Sequence, residues 1–359
     1  MSENPISAAA AATFDGIGGW AGILHRLTEG GSLTADEAGS ALSVILAGEA
    51  SDAQMAAFAI ALRMKGETAE EMTGLVRAWL GAAVPVPDLP PEIAARVLDT
   101  CGTGGDRSGS VNVSTMAALV VAGAGVPVAK HGNRAASSKA GSADVLEALG
   151  VRLDIPGEAV NACIVEAGMG FYFAQSFHPA LRHLGPVRRA LGVATIFNVL
   201  GPLANPARPR RQLLGIADPR IAERMLHVLH ANGAERAIIV HGADGLDELS
   251  LSGTSTMWHL RSDSTIVAEE VSPNALGLAL VDASAIAGGD ATRNAEAVRS
   301  VLRGDAGPVR DIVRLNAAAA LVVAGEAADL AGGLEIAAAS IDTGAAAQVL
   351  DRLVETSNA

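Results

Sequence analysis

Asp99-Thr100-Cys101-Gly102-Thr103-Gly104-Gly105-Asp106, followed by Asn112-Val113-Ser114-Thr115, is the stretch on which the reading of this chain turns. It sets glycines, two acids and several hydroxyls on a short loop between an apolar strand pattern ending at Leu98 and the start of a helix. Glycines let the backbone come close to a ligand and take positive φ, so that successive N–H groups converge on an anion. The N-terminus of the following helix adds partial positive charge. The same residues also suit a plain tight turn from strand to helix, so the loop alone leaves two readings open.

Working outward, strands alternate with helices. Residues 97–99, 126–130, 212–216, 236–240 and 256–260 read as strands, and 114–123, 143–149 and 219–231 as helices. This alternation predicts an α/β fold with a central, mainly parallel sheet. Amphipathic helices are expected over 291–303, 309–323 and 337–353. Upstream, the pattern is purely helical. Capping boxes at Thr34-x-x-Glu37, Ser51-x-x-Gln54 and Thr68-x-x-Glu71 open successive helices, with Gly48 and Lys65-Gly66 as stops. Trp20 to Leu27 reads as a further short helix, and the first twelve or so residues are expected to fray. The run Pro85-Val86-Pro87-Asp88-Leu89-Pro90-Pro91 ends the helical part and is read as a domain boundary.

The 359 residues are half hydrophobic but only 3% aromatic, so Ala, Val and Leu must fill one large or two unequal cores. A net charge of −13 argues against a general nucleic-acid or membrane-surface binder. The N-terminal residues lack the basic n-region of a signal peptide. The apolar run Met116 to Ala129 is interrupted by glycines and a proline and falls short of a membrane span. Two cysteines, Cys101 and Cys163, point to reduced thiols and a cytoplasmic setting. No histidine pattern beside Cys101 would activate it as a nucleophile.

Three more polar clusters stand at strand or helix ends, where the loops of a doubly wound sheet gather around a ligand. Lys130-His131-Gly132-Asn133-Arg134 follows a Val-rich strand, and Ser137 to Asp144 runs into a helix whose N-terminus suits phosphate or is capped by Ser142. Asp247-Glu248 follows the strand ending at Val240 and suits Mg²⁺, which keeps waters and is shared with a polyphosphate; a solvated turn would look the same. From Ala167 through Ala217 there is no Asp or Glu, where average composition places about five. That stretch carries Arg182, Arg188, Arg189, Arg208, Arg210 and Arg211 with His178 and His183, an inversion of charge that suits anionic substrates. There is no Walker loop, no dinucleotide fingerprint and no nucleophile elbow. Together these observations point to a phosphate-rich substrate, a divalent metal and a second anionic partner.

Gly102-Thr-Gly-Gly-Asp106, Asn112-Val-Ser-Thr115, Lys130-His-Gly-Asn-Arg134, Ser137 to Leu149, Val187-Arg-Arg with Leu191-Gly192, Ile196-Phe-Asn198, Gly201-Pro-Leu, Asn205-Pro206 and Asp247-Glu248, in this order, resemble the anthranilate phosphoribosyltransferase family. The resemblance implies a small helical domain hinged to a large α/β domain, a fold shared with pyrimidine nucleoside phosphorylases, and a homodimer through the helical domains. It implies a helical domain over 16–90, with 171–202 returning partly to it, and a large domain over 91–170 and 203–359 that binds 5-phosphoribosyl-1-pyrophosphate (PRPP). The implied reaction transfers the phosphoribosyl group of PRPP to the amine of anthranilate in tryptophan biosynthesis, with Mg²⁺. By position, Gly102, Thr103, Gly104, Gly105, Asp106, Ser110, Asn112, Ser114, Thr115, Lys130 and Ser142 would bind PRPP. Gly102, His131, Asn133, His178 and Arg188 would serve anthranilate, and Ser114, Asp247 and Glu248 the metal. No residue is assigned as a general base. Arg107 stands where the family usually has glycine, Ser110 and Ala204 where threonine is common, and Leu181 at a position often bulkier. A nucleoside phosphorylase and a non-catalytic nucleic-acid-binding relative on the same fold are the alternatives; the acidic net charge and the retained Asp247-Glu248 oppose the second.

Overall fold

The computed structural model describes residues 6–135, 138–261 and 263–359; Ser137 of the third polar cluster and Met1–Pro5 lie outside them. The chain divides into two units: Met1–Pro85, Gln175–Pro206 and His227–Asn232 form one, and Val86–Ala174, Ala207–Leu226 and Gly233–Ala359 the other.

The first unit is a helical bundle. Helices Ala35–Leu46, Asp52–Lys65 and Ala69–Gly81 each open with the expected box, in which the cap hydroxyl accepts the N–H three residues on and the Glu or Gln side chain accepts the cap N–H. Glu71 does more than cap. Fully buried, it accepts the N–H groups of Leu33 and Thr68 and pairs with Lys65 at 2.9 Å, so several donors satisfy one buried carboxylate. Gly74 lets two helices meet, because a Cβ there would stand 1.8 Å from the Ala35 carbonyl oxygen. Gly19–Thr28 is helical as expected. The fraying expectation fails: Ala8–Gly16 is a helix whose cap, Ser7, accepts the Ala10 N–H, and Phe14 packs edge-on against Trp20.

The second unit is built on a seven-stranded sheet. Its strands are β1 Leu98–Gly102, β2 Val128–Gly132, β3 Met169–Phe173, β4 Arg211–Gly215, β5 Arg236–Gly242, β6 Ser255–Leu260 and β7 Ile266–Val271, in the spatial order β3-β2-β1-β4-β5-β6-β7. The first five run parallel; β6 and β7 extend the edge antiparallel. Strands β3 and β7 are not among the expected elements, and β3 places Phe171–Phe173 in this sheet. Helix Val113–Gly123, apolar on all sides, is buried beside Pro308–Ala324 and Ala345–Asn358. The helix expected over 337–353 is two, Leu330–Asp342 and Ala345–Asn358, broken at Gly344, whose φ of 77° leaves the helical region.

Chain order reverses between β1 and β4: from β1 the chain moves outward through β2 and β3, then returns to the other side of β1. Such a switch point opens a crevice at the carboxyl ends of the strands.

Candidate active site

The end of β1 pairs with the end of β4, Gly102 opposite Gly215, at that crevice. Neither glycine tolerates a side chain. A Cβ on Gly102 would lie 2.4 Å from Asp247 Oδ2, and one on Gly215 only 1.6 Å from the Asp247 carbonyl oxygen. The two strands thus end without side chains so that the loop after β5 can lay Asp247 across them. The Gly104 N–H donates to Asp247 Oδ2 at 2.7 Å, and the Ser114 N–H, in the first turn of its helix, donates to Glu248 Oε1 at 3.0 Å. The glycine loop, the helix N-terminus and the carboxylate pair therefore meet in one place.

Lys130 reaches the same place from β2. It is buried, and its Nζ donates to the Thr100 carbonyl oxygen and, at 3.2 Å, to Ser114 Oγ. β1 and β2 pair only at Leu98 opposite Val128, and side chains bridge the strands above that pair. The Lys130 ammonium takes the Thr100 carbonyl, and Asp99 Oδ1 accepts the His131 N–H at 3.2 Å. Gln212 holds the other Asp99 oxygen and donates to Cys101 Sγ.

The electrostatics are those of an anionic pocket. Burial, then the neighbouring Asp106 carboxylate, pushes Asp247 up to about 6. Burial and Asp247 push Glu248 well above the usual carboxylate range, with Lys130 opposing. Three acids against one buried lysine make a donor set that fits a hard divalent cation and its oxygen ligands. Among the described residues no group of three or more His, Cys, Asp or Glu side chains is placed to hold a metal ion by itself.

The remaining predicted residues divide. Gly104 and Gly105 take positive φ, 64° and 84°, as an anion-cradling loop requires. Thr103 is tied in by its N–H to the Gly215 carbonyl and by its hydroxyl to the Ala217 N–H. Ser110 bridges to Ala287, and Asn112 links Ala140 to Asn294, so these two brace the loop. The Thr115 hydroxyl is fully buried in the helix, with no hydrogen-bond partner among the described residues. Ser142 is not the cap of its helix: Gly141 holds that place, with Asp144 accepting its N–H at 2.8 Å, and Ser142 Oγ donates to the Asn133 carbonyl. Arg134 is spent on Asp144 and Glu147 and lies over the Phe173 ring. Asn133 is exposed and His131 buried, both in the α/β unit.

Arg188 and His178 belong to the helical unit. Arg188 sits on helix Leu184–Leu191, half-buried, and has no carboxylate partner among the described residues. Burial alone draws its pKa down. His178 is buried beside Trp79, and desolvation lowers it to about 4, so its ring is neutral near pH 7. Cys101 is buried, and its pKa is raised well above the usual thiol range, which removes it as a nucleophile.

Sequence reading missed Asn316. It is fully buried on helix Pro308–Ala324; its Oδ1 accepts the Leu249 N–H and its Nδ2 donates to the Leu249 carbonyl, at 2.9 and 3.0 Å. This amide clamps the main chain immediately after the acid pair. Its one visible signal is an Asn inside an otherwise apolar helical run.

A helical bundle carried in one chain with a parallel sheet, whose switch point holds a glycine cradle and paired acids, defines a two-domain glycosyl transferase. Residues 94–347 match the family model described as glycosyl transferase family, a/b domain, and residues 21–83 match the helical bundle domain of the same family. The anthranilate phosphoribosyltransferase of Thermomicrobium roseum is 53% identical over 339 residues, covering 94% of this chain and 97% of that protein. That of Saccharopolyspora erythraea is 49% identical over 345 residues, 95% and 96% of the two chains. The solved anthranilate phosphoribosyltransferase of Thermus thermophilus superposes with a TM-score of 0.87 at 41% identity, covering 94% of this chain and 99% of that one. The Saccharomyces cerevisiae enzyme in complex with PRPP and Mg superposes with a TM-score of 0.86 at 27% identity, over 94% and 98%. The chain belongs to the anthranilate phosphoribosyltransferase family.

Proposed function

We propose that this chain transfers the phosphoribosyl group of PRPP to the amine of anthranilate, releasing pyrophosphate, with the work divided between its two units. The observation that carries this is the seating of Asp247 and Glu248 over the side-chain-free ends of β1 and β4, against the glycine loop and the Ser114 N–H. Magnesium use in the yeast relative supports Ser114, Asp247 and Glu248 as the residues that would hold Mg²⁺ here. When bound, the ion supplies positive charge to the departing pyrophosphate.

The chain's own residues do the rest. The Gly102 to Asp106 loop cradles the pyrophosphate, with the Thr103 N–H held by Gly215 and the Gly104 N–H leaving Asp247 for the ligand, and Lys130 holds the negative side of the pocket in balance. Arg188 offers a planar fork to the anthranilate carboxylate, with no carboxylate to displace among the described residues. His131 and Asn133 of the α/β unit and the neutral His178 of the helical unit are the further residues read as serving the arylamine. An arylamine is uncharged at pH 7, so attack on C1′ needs no prior deprotonation, and catalysis rests on orientation and charge stabilisation. A homodimer through the helical unit and a cytoplasmic setting belong to the same reading; Cys101 and Cys163, which form no disulfide, agree with the latter.

Anthranilate fluoresces, which supplies the test. Its signal should fall only when PRPP, Mg²⁺ and the protein are all present, with N-(5-phosphoribosyl)anthranilate as the product. No decay at micromolar protein, or decay without PRPP, would overturn the assignment.

A further inference from the structure

Arg107 stands out in the loop after β1. Of the described residues, only Arg107, Arg208 and Ser264 are non-glycine with positive φ, and Arg107 holds 57° between Gly105 at 84° and Gly109 at 65°. A side chain there crowds the backbone, and glycine would take the same conformation without strain. Arg107 is the central residue of a turn in which Asp106 Oδ1 accepts the Ser108 N–H at 3.3 Å, and Ser108 in turn braces Ser110. The turn leaves Arg107 exposed at the loop tip.

Its charge is also unusual for its place. Arg107 is the one cation in the sequence between Arg96 and Lys130. Arg96 pairs with Glu326 and Lys130 is buried on Thr100 and Ser114, whereas Arg107 makes no hydrogen bond or ion pair within the described residues. It neighbours Asp106, whose carboxylate already adds to the negative potential at Asp247. A strained, unpartnered guanidinium beside an acid-rich cradle has a use when a polyanion enters.

We infer that Arg107 is a substrate-gripping residue of this chain, which binds the pyrophosphate group of PRPP from the tip of the glycine loop and raises affinity for it. The inference rests on the phosphoribosyl-transfer reading and adds to it a specificity contact in place of a backbone-only loop. Because the guanidinium touches the leaving group and not the arylamine, it affects one substrate and spares the other.

The test uses Arg107→Gly, which removes the charge and relaxes the backbone, and Arg107→Lys, which keeps the charge. Arg107→Gly should raise KM for PRPP about tenfold, with KM for anthranilate within about twofold, and Arg107→Lys should recover most of the loss. Calorimetric titration with Mg²⁺-pyrophosphate should show the same weakening of about tenfold for Arg107→Gly, and a shallower salt dependence. Unchanged KM for PRPP and unchanged pyrophosphate affinity in Arg107→Gly would overturn the inference and leave a strained surface arginine. The titration needs no turnover, so it still decides the role of Arg107 if the wild-type protein fails to consume anthranilate, an outcome that would instead strike the assigned reaction.

Discussion

The end of the α/β sheet and the segment around Arg188 solve opposite problems. At the sheet end nearly every polar group has an internal partner: the amides of Gly104 and Ser114 rest on Asp247 and Glu248, and Lys130 rests on Thr100 and Ser114. The surplus there is negative, and it awaits a cation. Arg188 lies in a stretch with no acid from Ala167 through Ala217, half-buried with its charge unmatched among the described residues. The surplus there is positive, and it awaits a carboxylate. On the proposed reading, one chain of net charge −13 meets metal-bound PRPP with the first surplus and a small organic acid with the second.

The sharpest way to break this contrast is to neutralise the acid pair. Asp247→Asn with Glu248→Gln should lower kcat/KM by about 10³-fold and abolish the response to Mg²⁺. Melting temperature should change little, since the relief of two buried carboxyls is offset by the buried Lys130 left without its counter-charge. Activity within tenfold of wild type would remove the acid pair from the mechanism.

Next in size is Gly215→Ala, whose Cβ would stand 1.6 Å from the Asp247 carbonyl oxygen. The acid pair must shift, which should cost about 3 kcal/mol of stability and about 10²-fold in activity. Gly105→Ala meets nothing within 4 Å and has only its φ of 84° against it, so about 1 kcal/mol is expected. Chemical denaturation compares the two. Equal losses would mean that the close approach of Asp247 is not what requires glycine.

The pH dependence sharpens the electrostatic half. Asp247 is raised to about 6 from an ordinary value of 3.8, so the folded, metal-free protein holds its proton more tightly than the unfolded chain. Its contribution to stability is present below pH 4 and is lost as pH rises through about 6. Apparent Mg²⁺ affinity should move the other way, weakening about tenfold per pH unit below 6 through this one proton. Asp247→Asn should flatten both trends, read by melting curves and metal titration from pH 5 to 8. The smallest effect is expected at Cys101: the buried thiol should resist alkylation, and Cys101→Ser should change kcat/KM by less than about threefold.

What could be read without coordinates was whatever is local. Each capping box names its own partners three residues apart, so Thr34, Ser51 and Thr68 were legible, as was the strand–loop–helix around Gly102. The break at Gly344 was hidden because the Ala-rich sequence on both sides continues a helical pattern across it. β7, Ile266–Val271, is an edge strand with only Val271 buried, so its Ile-Val-Ala-Glu-Glu-Val sequence shows no period of two. At the site, residue types were legible but their partners were not. Arg134 stands in the polar cluster that follows β2, but Asp144 and Glu147 take its guanidinium, and Lys130 turns inward to β1. Asn316 clamps Leu249 across 67 residues of chain, a distance no motif spans.

The division between the two sites is tested most directly by the pair of Michaelis constants in Arg188→Gln. KM for anthranilate should rise by about 30-fold or more, the loss of a charge-assisted bond, while KM for PRPP stays within about twofold. An equal rise in both constants would contradict it, because Arg188 would then serve the fold or the whole site and not the carboxylate of one substrate.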